Sequence, residues 1–345
     1  MTNKYVKPFL TIYKRLEVWR PKSKARGWLA LSAIYLALTL VFGYLLFPYD
    51  YLKEYVLQEL RFPKTPDGTR TESAYDISIR ELSPSWFTGV ELEGLRVTQR
   101  SVASSEEPLE IYLTSLTLRP SVWALLKGDS AFSFVAEVGD GDIDGGYAAS
   151  EEEVSFAAEF SDVDLHELKV LKSLVGLPAK GVINGKIDLQ VAATPDETEG
   201  IIDLSIGKLT IGDSKAKFKT ALMPSGMTIE QIDAGDLALK ITVIKGVGQV
   251  ETLNAKGKDL ELSGFGEIRP RNPLGQSGID VLVRFKFSEE YRNRSDVNIG
   301  LFMLLDNEPT MRKALSKDGW LQYRLRGTLN RIQPRPDGHA HPRRS

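Results

Sequence analysis

The sequence predicts a mainly β protein: an N-terminal transmembrane helix followed by an elongated, curved, mostly antiparallel β-sheet with a few short helices. Three observations carry that expectation. Leu29 to Phe47 is a run of nineteen residues without a charge. From Ser73 to Asn330 the apolar residues recur with a period of two. The helical segments between them are too few and too short to cover both faces of such a sheet.

The apolar run, LALSAIYLALTLVFGYLLF, is softened only by Ser32, Thr39 and Gly43. At about 1.5 Å rise per residue, a helix over it covers roughly the hydrocarbon thickness of a bilayer. A cleaved signal peptide has a shorter apolar core and a small-residue cleavage site. Here a 28-residue lead-in precedes the run and PYDYLKEY follows it. A buried core helix would show a polar face, and this one shows none. An uncleaved span is the expectation, with the lipid bilayer as the partner of Leu29 to Phe47.

Residues 1–28 form a basic arm. Lys4, Lys7, Lys14, Arg15, Arg20, Lys22, Lys24 and Arg26 stand against Glu17, a charge of +7 that leaves −9 on the rest of a chain whose total is −2. Lys22, Lys24 and Arg26 lie just before the span, so the N-terminus is expected in the cytoplasm and residues 48–345 across the membrane. Basic tails also bind nucleic acid. Beside a span, orientation and headgroup contact is the stronger reading, and no nucleic-acid partner is expected. There is no cysteine, which excludes disulfides, thiolate metal sites and thiol chemistry.

After the span, FPYDYLKEYVLQELRFP reads as a membrane-proximal helix over 48–63. Leu52, Val56 and Leu60 recur at helical spacing, and Pro63 ends it. Then the period changes to two, over a β-domain expected at 64–330. Ile187-Leu189-Val191, Ile202-Leu204-Ile206, Leu237-Leu239-Ile241-Val243 and Ile279-Val281-Val283-Phe285-Phe287 alternate with Lys186, Asp188, Gln190, Asp203, Asp280, Arg284 and Lys286. That is the pattern of strands with one apolar and one wet face. Short connections such as MPSG (Met223 to Gly226), read as a turn, favour antiparallel pairing. Three short helices are expected: Pro120 to Gly128, Val163 to Pro178 and Glu308 to Gly319. The Pro-rich, basic stretch 331–345 reads as a disordered tail. A sheet with one apolar face hides it by closing into a barrel, folding into a sandwich, or curling into a groove that meets lipid.

Several segments in order resemble a known family. FPYDYLKE, LSPSWFTGVELEGL (Leu82 to Leu95), LPAKGVINGKIDLQV (Leu177 to Val191), AKGKDLELSGFGEIRPRNPL (Ala255 to Leu274), RFKFSEEY (Arg284 to Tyr291) and YRLRGTL (Tyr323 to Leu329) resemble protein N of the type II (general) secretion pathway, in its long delta-proteobacterial form. The resemblance implies a single-pass inner-membrane protein with a periplasmic domain. It implies an accessory role beside other inner-membrane components of a machine that exports folded proteins. SLTLRPSVWALLKGDSAFSFVAEV (Ser115 to Val138) more loosely resembles AsmA-type proteins. That resemblance implies an elongated β-groove, or half-barrel, used in lipid handling. Neither family brings a catalytic motif.

One local pattern fits a calcium loop: Asp140, Asp142, Asp144, Gly145 and Glu151 match D-x-D-x-D-G followed by five residues and Glu. FSFVAEV before it and VSFAAEF after it are β-patterned where an EF-hand needs helices, so the aspartates read as the wet face of a strand. No metal and no cofactor is expected. His166, His339 and His341 are the histidines, and no nucleophile-elbow, phosphate-loop or zinc-helix motif occurs. The chain is therefore not expected to be an enzyme. Trp86, Phe87 and Trp123 are expected to pack, in the core or at a membrane interface, rather than to anchor a partner. Gly264 and Gly266 read as bends that let strands curl.

The functional expectation is a non-catalytic accessory or scaffold of type II secretion, acting through its periplasmic β-domain. The competing expectation is a lipid-binding or lipid-transfer module. In that case Ile187, Leu189, Leu204, Ile206, Leu237, Leu239, Val281, Val283 and Phe285 line an apolar groove that holds phospholipid.

Overall fold

A computed structural model describes residues 24–62, 70–73, 75–86, 88–100, 110–150, 152–168, 177–215, 217–220, 223–272 and 274–339. Most of the basic arm, Phe87, Glu151, residues 169–176 of the expected helix Val163 to Pro178, and His341 lie outside them. The chain divides into two compact units, Met1–Tyr51 and Leu52–Ser345.

In the first unit, helix α1 (Lys24–Leu45) is 22 residues long. It is the one helix among the described residues long and apolar enough to cross a membrane, and its described side chains are exposed or half-buried. Helix α2 (Tyr49–Arg61) leads into the second unit, where Leu57 is its buried contact. Lys53 Nζ donates to the Arg80 carbonyl (2.7 Å), and Ser73 N donates to the Arg61 carbonyl (2.8 Å).

The second unit is built on one 15-stranded antiparallel sheet. Its first strands are β1 (Tyr75–Ser78), β2 (Glu81–Ser85), β3 (Gly89–Gln99) and β4 (Glu110–Pro120). Helix α3 (Val122–Lys127) leads to β5 (Ser130–Val138), β6 (Gly141–Ala149) and β7 (Glu153–Asp164). After α4 (Leu165–Leu168) come β8 (Ala179–Ala192) and β9 (Glu199–Ile211). A separate hairpin of β10 (Lys217–Thr220) and β11 (Met223–Thr228) interrupts the run. The sheet resumes with β12 (Ile232–Ile244), β13 (Val247–Lys256), β14 (Leu260–Arg269) and β15 (Gly278–Phe287). Helices α5 (Glu289–Arg292), α6 (Asp296–Asn307) and α7 (Pro309–Ala314) precede β16 (Leu321–Thr328) and β17 (Arg331–Pro336). From β3 onward each strand of the sheet pairs with the next in sequence, the β10–β11 excursion aside. No pairing joins β17 to β1 or β2 among the described residues, so the sheet does not close into a barrel.

The two edges differ in construction. At one, β1 and β2 lie end to end along β3, interrupted at Ile79 and Arg80. At the other, β17 carries Pro334 and Pro336.

The meander gives the strands two ends. At one, six buried residues from the connections (Leu165, Leu177, Ile229, Tyr291, Leu301, Phe302) join five from the strands (Ala179, Leu209, Ile232, Ala234, Leu260) in a closed core. Helix α6 supplies the lid: Asn298, Leu301 and Phe302 are buried at i, i+3 and i+4. Ser295 caps it, its Oγ accepting from Asn298 N (3.2 Å). Tyr291 is fully buried and its hydroxyl donates to the Glu230 carbonyl (2.8 Å). Beneath it the Asp259 carboxylate accepts from Asp233 N (2.9 Å) and pairs with Arg294. Burial pushes the Tyr291 phenol up, beyond the normal tyrosine range.

Several expectations need correction. Met223 to Gly226 is not a turn; it opens strand β11, with Gly226 at φ +75°. Val163 and Asp164 end strand β7 instead of starting a helix. In the expected helix Pro120 to Gly128, Pro120 closes β4 and Ser121 is the N-cap, its Oγ accepting from Ala124 N. Residues 331–336 are not a disordered tail: β17 pairs with β16 over six positions. Helix α6 was not expected at all.

A continuous apolar face as the candidate functional site

Direct cross-strand partners in an antiparallel sheet point to the same side, so the register decides which side chains share a face. In the middle of the sheet Leu204 stands opposite Leu239, Ile206 opposite Leu237, and Ile202 opposite Ile187 and Ile241. Through Leu262 the same face passes to Phe285, and through Gly264 and Gly266 to Val283 and Val281. It continues to Leu325, Tyr323 and Leu321 on β16. In the other direction Leu189 meets Phe156, which meets Tyr147, then Phe132 and Pro120. One apolar face therefore runs across the sheet from β4 to β17, where Ile332, Pro334 and Pro336 carry it to the edge.

All nine predicted lining residues lie on this face. Leu189 and Val281 are buried; Ile187, Leu204, Ile206, Leu237, Leu239, Val283 and Phe285 are half-buried. They divide by position. Ile206, Leu237 and Phe285 pack against the closed core at the capped end. The other six lie farther from it along their strands. Toward the opposite end Phe132, Tyr147 and Phe156 continue the face, and the open concavity of about 500 Å³ beside them takes in the row Arg119, Ser133, Gly146, Ala157 and Asp188, cross-strand partners that face the other side of the sheet. Phe132 stacks on Tyr147 (centroids 5.3 Å apart) and Phe134 on Phe156 (6.3 Å).

Glycines on this face make room for its large side chains. A Cβ on Gly145 would lie 2.4 Å from the Phe134 ring and 2.4 Å from the Ala157 carbonyl. A Cβ on Gly264 would lie 2.4 Å from Leu253 Cδ2. Packing is thus a sufficient reason for both residues. The calcium-loop pattern resolves the same way: Asp140 sits in the β5–β6 turn, and Asp142 and Asp144 lie on the polar side of β6. Gly145 is the seat of an aromatic ring. Among the described residues no three acidic or histidine side chains converge as a metal would require.

The opposite face is charged. Asp280 accepts two hydrogen bonds from Arg324 (2.6 and 3.0 Å) and is shared with Arg326 (3.3 Å). Those hydrogen bonds, Arg324 first, hold its carboxyl below the usual carboxylate range. Arg284 lies over the Trp320 ring, 4.7 Å from its centroid. Arg335 stands directly opposite Arg324, so the last three strands present a strongly cationic surface.

Of the two places expected for Trp86 and Trp123, a core or a membrane interface, the exposures of 75% and 77% exclude the core. Nothing in their local spelling distinguishes a buried aromatic from an exposed one.

Fold and site together define a class: an open antiparallel meander with one polar and one apolar face, capped at one strand end. No family model, curated protein or solved structure matches the chain.

Proposed function

We propose that this protein is a single-pass inner-membrane protein whose periplasmic β-sheet is a non-catalytic binding surface for phospholipid acyl chains. The observation that carries the reading is the uninterrupted apolar face from β4 to β17, only part of which is buried by the core at its capped end. Half-buried aliphatic rows such as Leu204–Leu239–Leu253 offer dispersion contacts along their length and no polar anchor. An acyl chain is the ligand that matches such a lining. The apolar segment Leu29 to Phe47 holds the sheet at the membrane where that ligand resides, with the basic arm on the cytoplasmic side.

The scaffold reading, an accessory of type II secretion, draws support from the family resemblance and from the cationic outer face. Arg284, Arg324, Arg326 and Arg335 suit an acidic protein surface better than they suit an acyl chain.

Native mass spectrometry on the unit Leu52–Ser345, released from membranes, separates the two. Co-purified phospholipid that is lost in Leu204→Asp and Val283→Asp, with circular dichroism unchanged, supports the acyl-chain site. An empty, monodisperse unit overturns it and leaves the scaffold reading.

A further inference from the structure

The polar side of the sheet is divided by charge. From Gly128 to Leu168, the stretch that holds β5, β6 and β7, the sequence has twelve carboxylates and no lysine or arginine. Glu137, Asp142, Asp144 and Glu159 stand exposed on the polar side of these strands. Glu137 is directly opposite Asp142, and Asp144 directly opposite Glu159. From Trp320 to Pro336, which holds β16 and β17, there are four arginines and no carboxylate. All four lie on the same polar side, with Arg324 directly opposite Arg335.

Like charges placed directly opposite each other destabilise a sheet, and the middle strands avoid them. There Lys186 stands opposite Asp203, and Asp203 opposite Lys240, which pairs with Glu251 (3.2 Å). The two ends do the reverse, and the charges bordering them do not cancel them. Beside the carboxylates, Lys186 is opposite Glu159 but shared with Asp203, and Arg119 on β4 adds one more cation. Beside the arginines, Arg284 and Lys286 on β15 extend the cationic patch. Asp280 is taken up by Arg324 and Arg326, and Glu261 stands opposite Lys286. Asp318 and Asp337 flank the strands together with Lys317, which leaves cations in excess.

We propose that the polar side of the sheet recognises a second copy of this chain. The β5–β7 carboxylates of one copy take the β16–β17 arginines of the other. Charge complementarity selects this occupant, because each chain carries both halves of the contact. An anionic lipid surface or an acidic protein would engage the arginines alone and leave the opposed carboxylates unrelieved. Guanidinium and carboxylate groups also match in geometry, since two parallel N–H groups can meet two oxygens. The contact lies on the polar side and leaves the apolar side and the sheet borders untouched. It therefore stands or falls separately from acyl-chain binding.

The test is sedimentation velocity on the full chain in a nonionic detergent, over a concentration series. Reversible association is expected at about 0.1 M salt, weakened at least about tenfold at about 1 M, where charges are screened within a few ångströms. Asp142→Lys/Asp144→Lys and Arg331→Glu/Arg335→Glu should each weaken it about tenfold or more, with circular dichroism unchanged. An equimolar mixture of the two variants should associate again, because the reversed patches complement each other. Asp196→Lys/Glu197→Lys, an equal change of net charge on the exposed β8–β9 connection, should leave association as in wild type. Should a reversed variant misfold, Asp142→Asn/Asp144→Asn and Arg331→Gln/Arg335→Gln should weaken association in the same direction without restoring it when mixed. A wild-type chain that stays monomeric at low salt overturns the proposal. So does association that survives both reversals, which assigns it to an apolar surface. Loss on arginine reversal alone also overturns it and assigns the arginines to a different anionic partner.

Discussion

Leu204 and Leu239 are direct partners on β9 and β12, near the middle of the apolar face and outside the closed core. Each is half-buried, so a carboxylate placed there keeps some access to water. Leu204→Asp is therefore expected to cost about 2–3 kcal/mol and to leave the sheet folded, while co-purified phospholipid is lost. Chemical denaturation and native mass spectrometry on the same sample check the two halves of that statement.

Gly145 lies directly opposite Phe134 and Ala158. Because an added methyl meets both a ring and a backbone carbonyl, relief by a rotamer change alone is blocked. Gly145→Ala is expected to destabilise by about 1–3 kcal/mol. Calcium should not rescue it, and calorimetric titration of the native protein should show no calcium heat below the millimolar range. A thermal melt with and without calcium reads both.

Asp259, with a side chain only 2% exposed, ties Arg294 and the Asp233 backbone together under the α5–α6 cap. Removing the carboxylate strands the guanidinium, which is partly exposed and so less costly to leave than a fully buried charge. Asp259→Ala is expected to cost about 3 kcal/mol and to loosen the cap before the sheet. Hydrogen exchange across 289–307 should accelerate ahead of exchange in β12–β15.

The Asp280 carboxyl is held below its unfolded value of about 3.9 by Arg324 and then Arg326. A depressed acid stabilises the fold above its unfolded pKa, and that contribution fades as the pH falls through the lower, folded value. The three side chains are 34–51% exposed, so the pairing is worth at most about 1 kcal/mol. Asp280→Asn should lower the melting temperature at pH 6–7. The gap to wild type should close as the pH is lowered through the carboxyl's own titration.

Strict alternation made the sheet readable, because a period of two leaves only one way to bury a face. Ile279 to Phe287 and Leu237 to Val243 fall on strands β15 and β12 as their spelling implies. The same rule concealed α6. Val297, Ile299, Leu301, Met303 and Leu305 also recur every second residue, while the burial of Asn298, Leu301 and Phe302 follows helical spacing. Ser295 before Asp296 was the local cue. β17 was hidden by composition: Ile332, Pro334 and Pro336 alternate with Arg331, Gln333 and Arg335, but proline and arginine suggest a tail. The apolar face was legible, since all nine chosen residues share one side. Its division into a capped part and an open part was not, because it depends on helices far along the chain. The exposure of Trp86 and Trp123 depends on what surrounds them in space, which no local pattern encodes.

The sheet's borders bear on how many copies can live side by side. An open sheet ends in unpaired amide and carbonyl groups, which invite a strand from another molecule and can seed fibrillar growth. Here one border is broken at Ile79 and Arg80 into pieces of 4 and 5 residues. The other carries two prolines that have no amide hydrogen to offer. A newcomer strand would find too short a run on the first border and missing donors on the second. Crowding should therefore concentrate these molecules without stitching them into polymers.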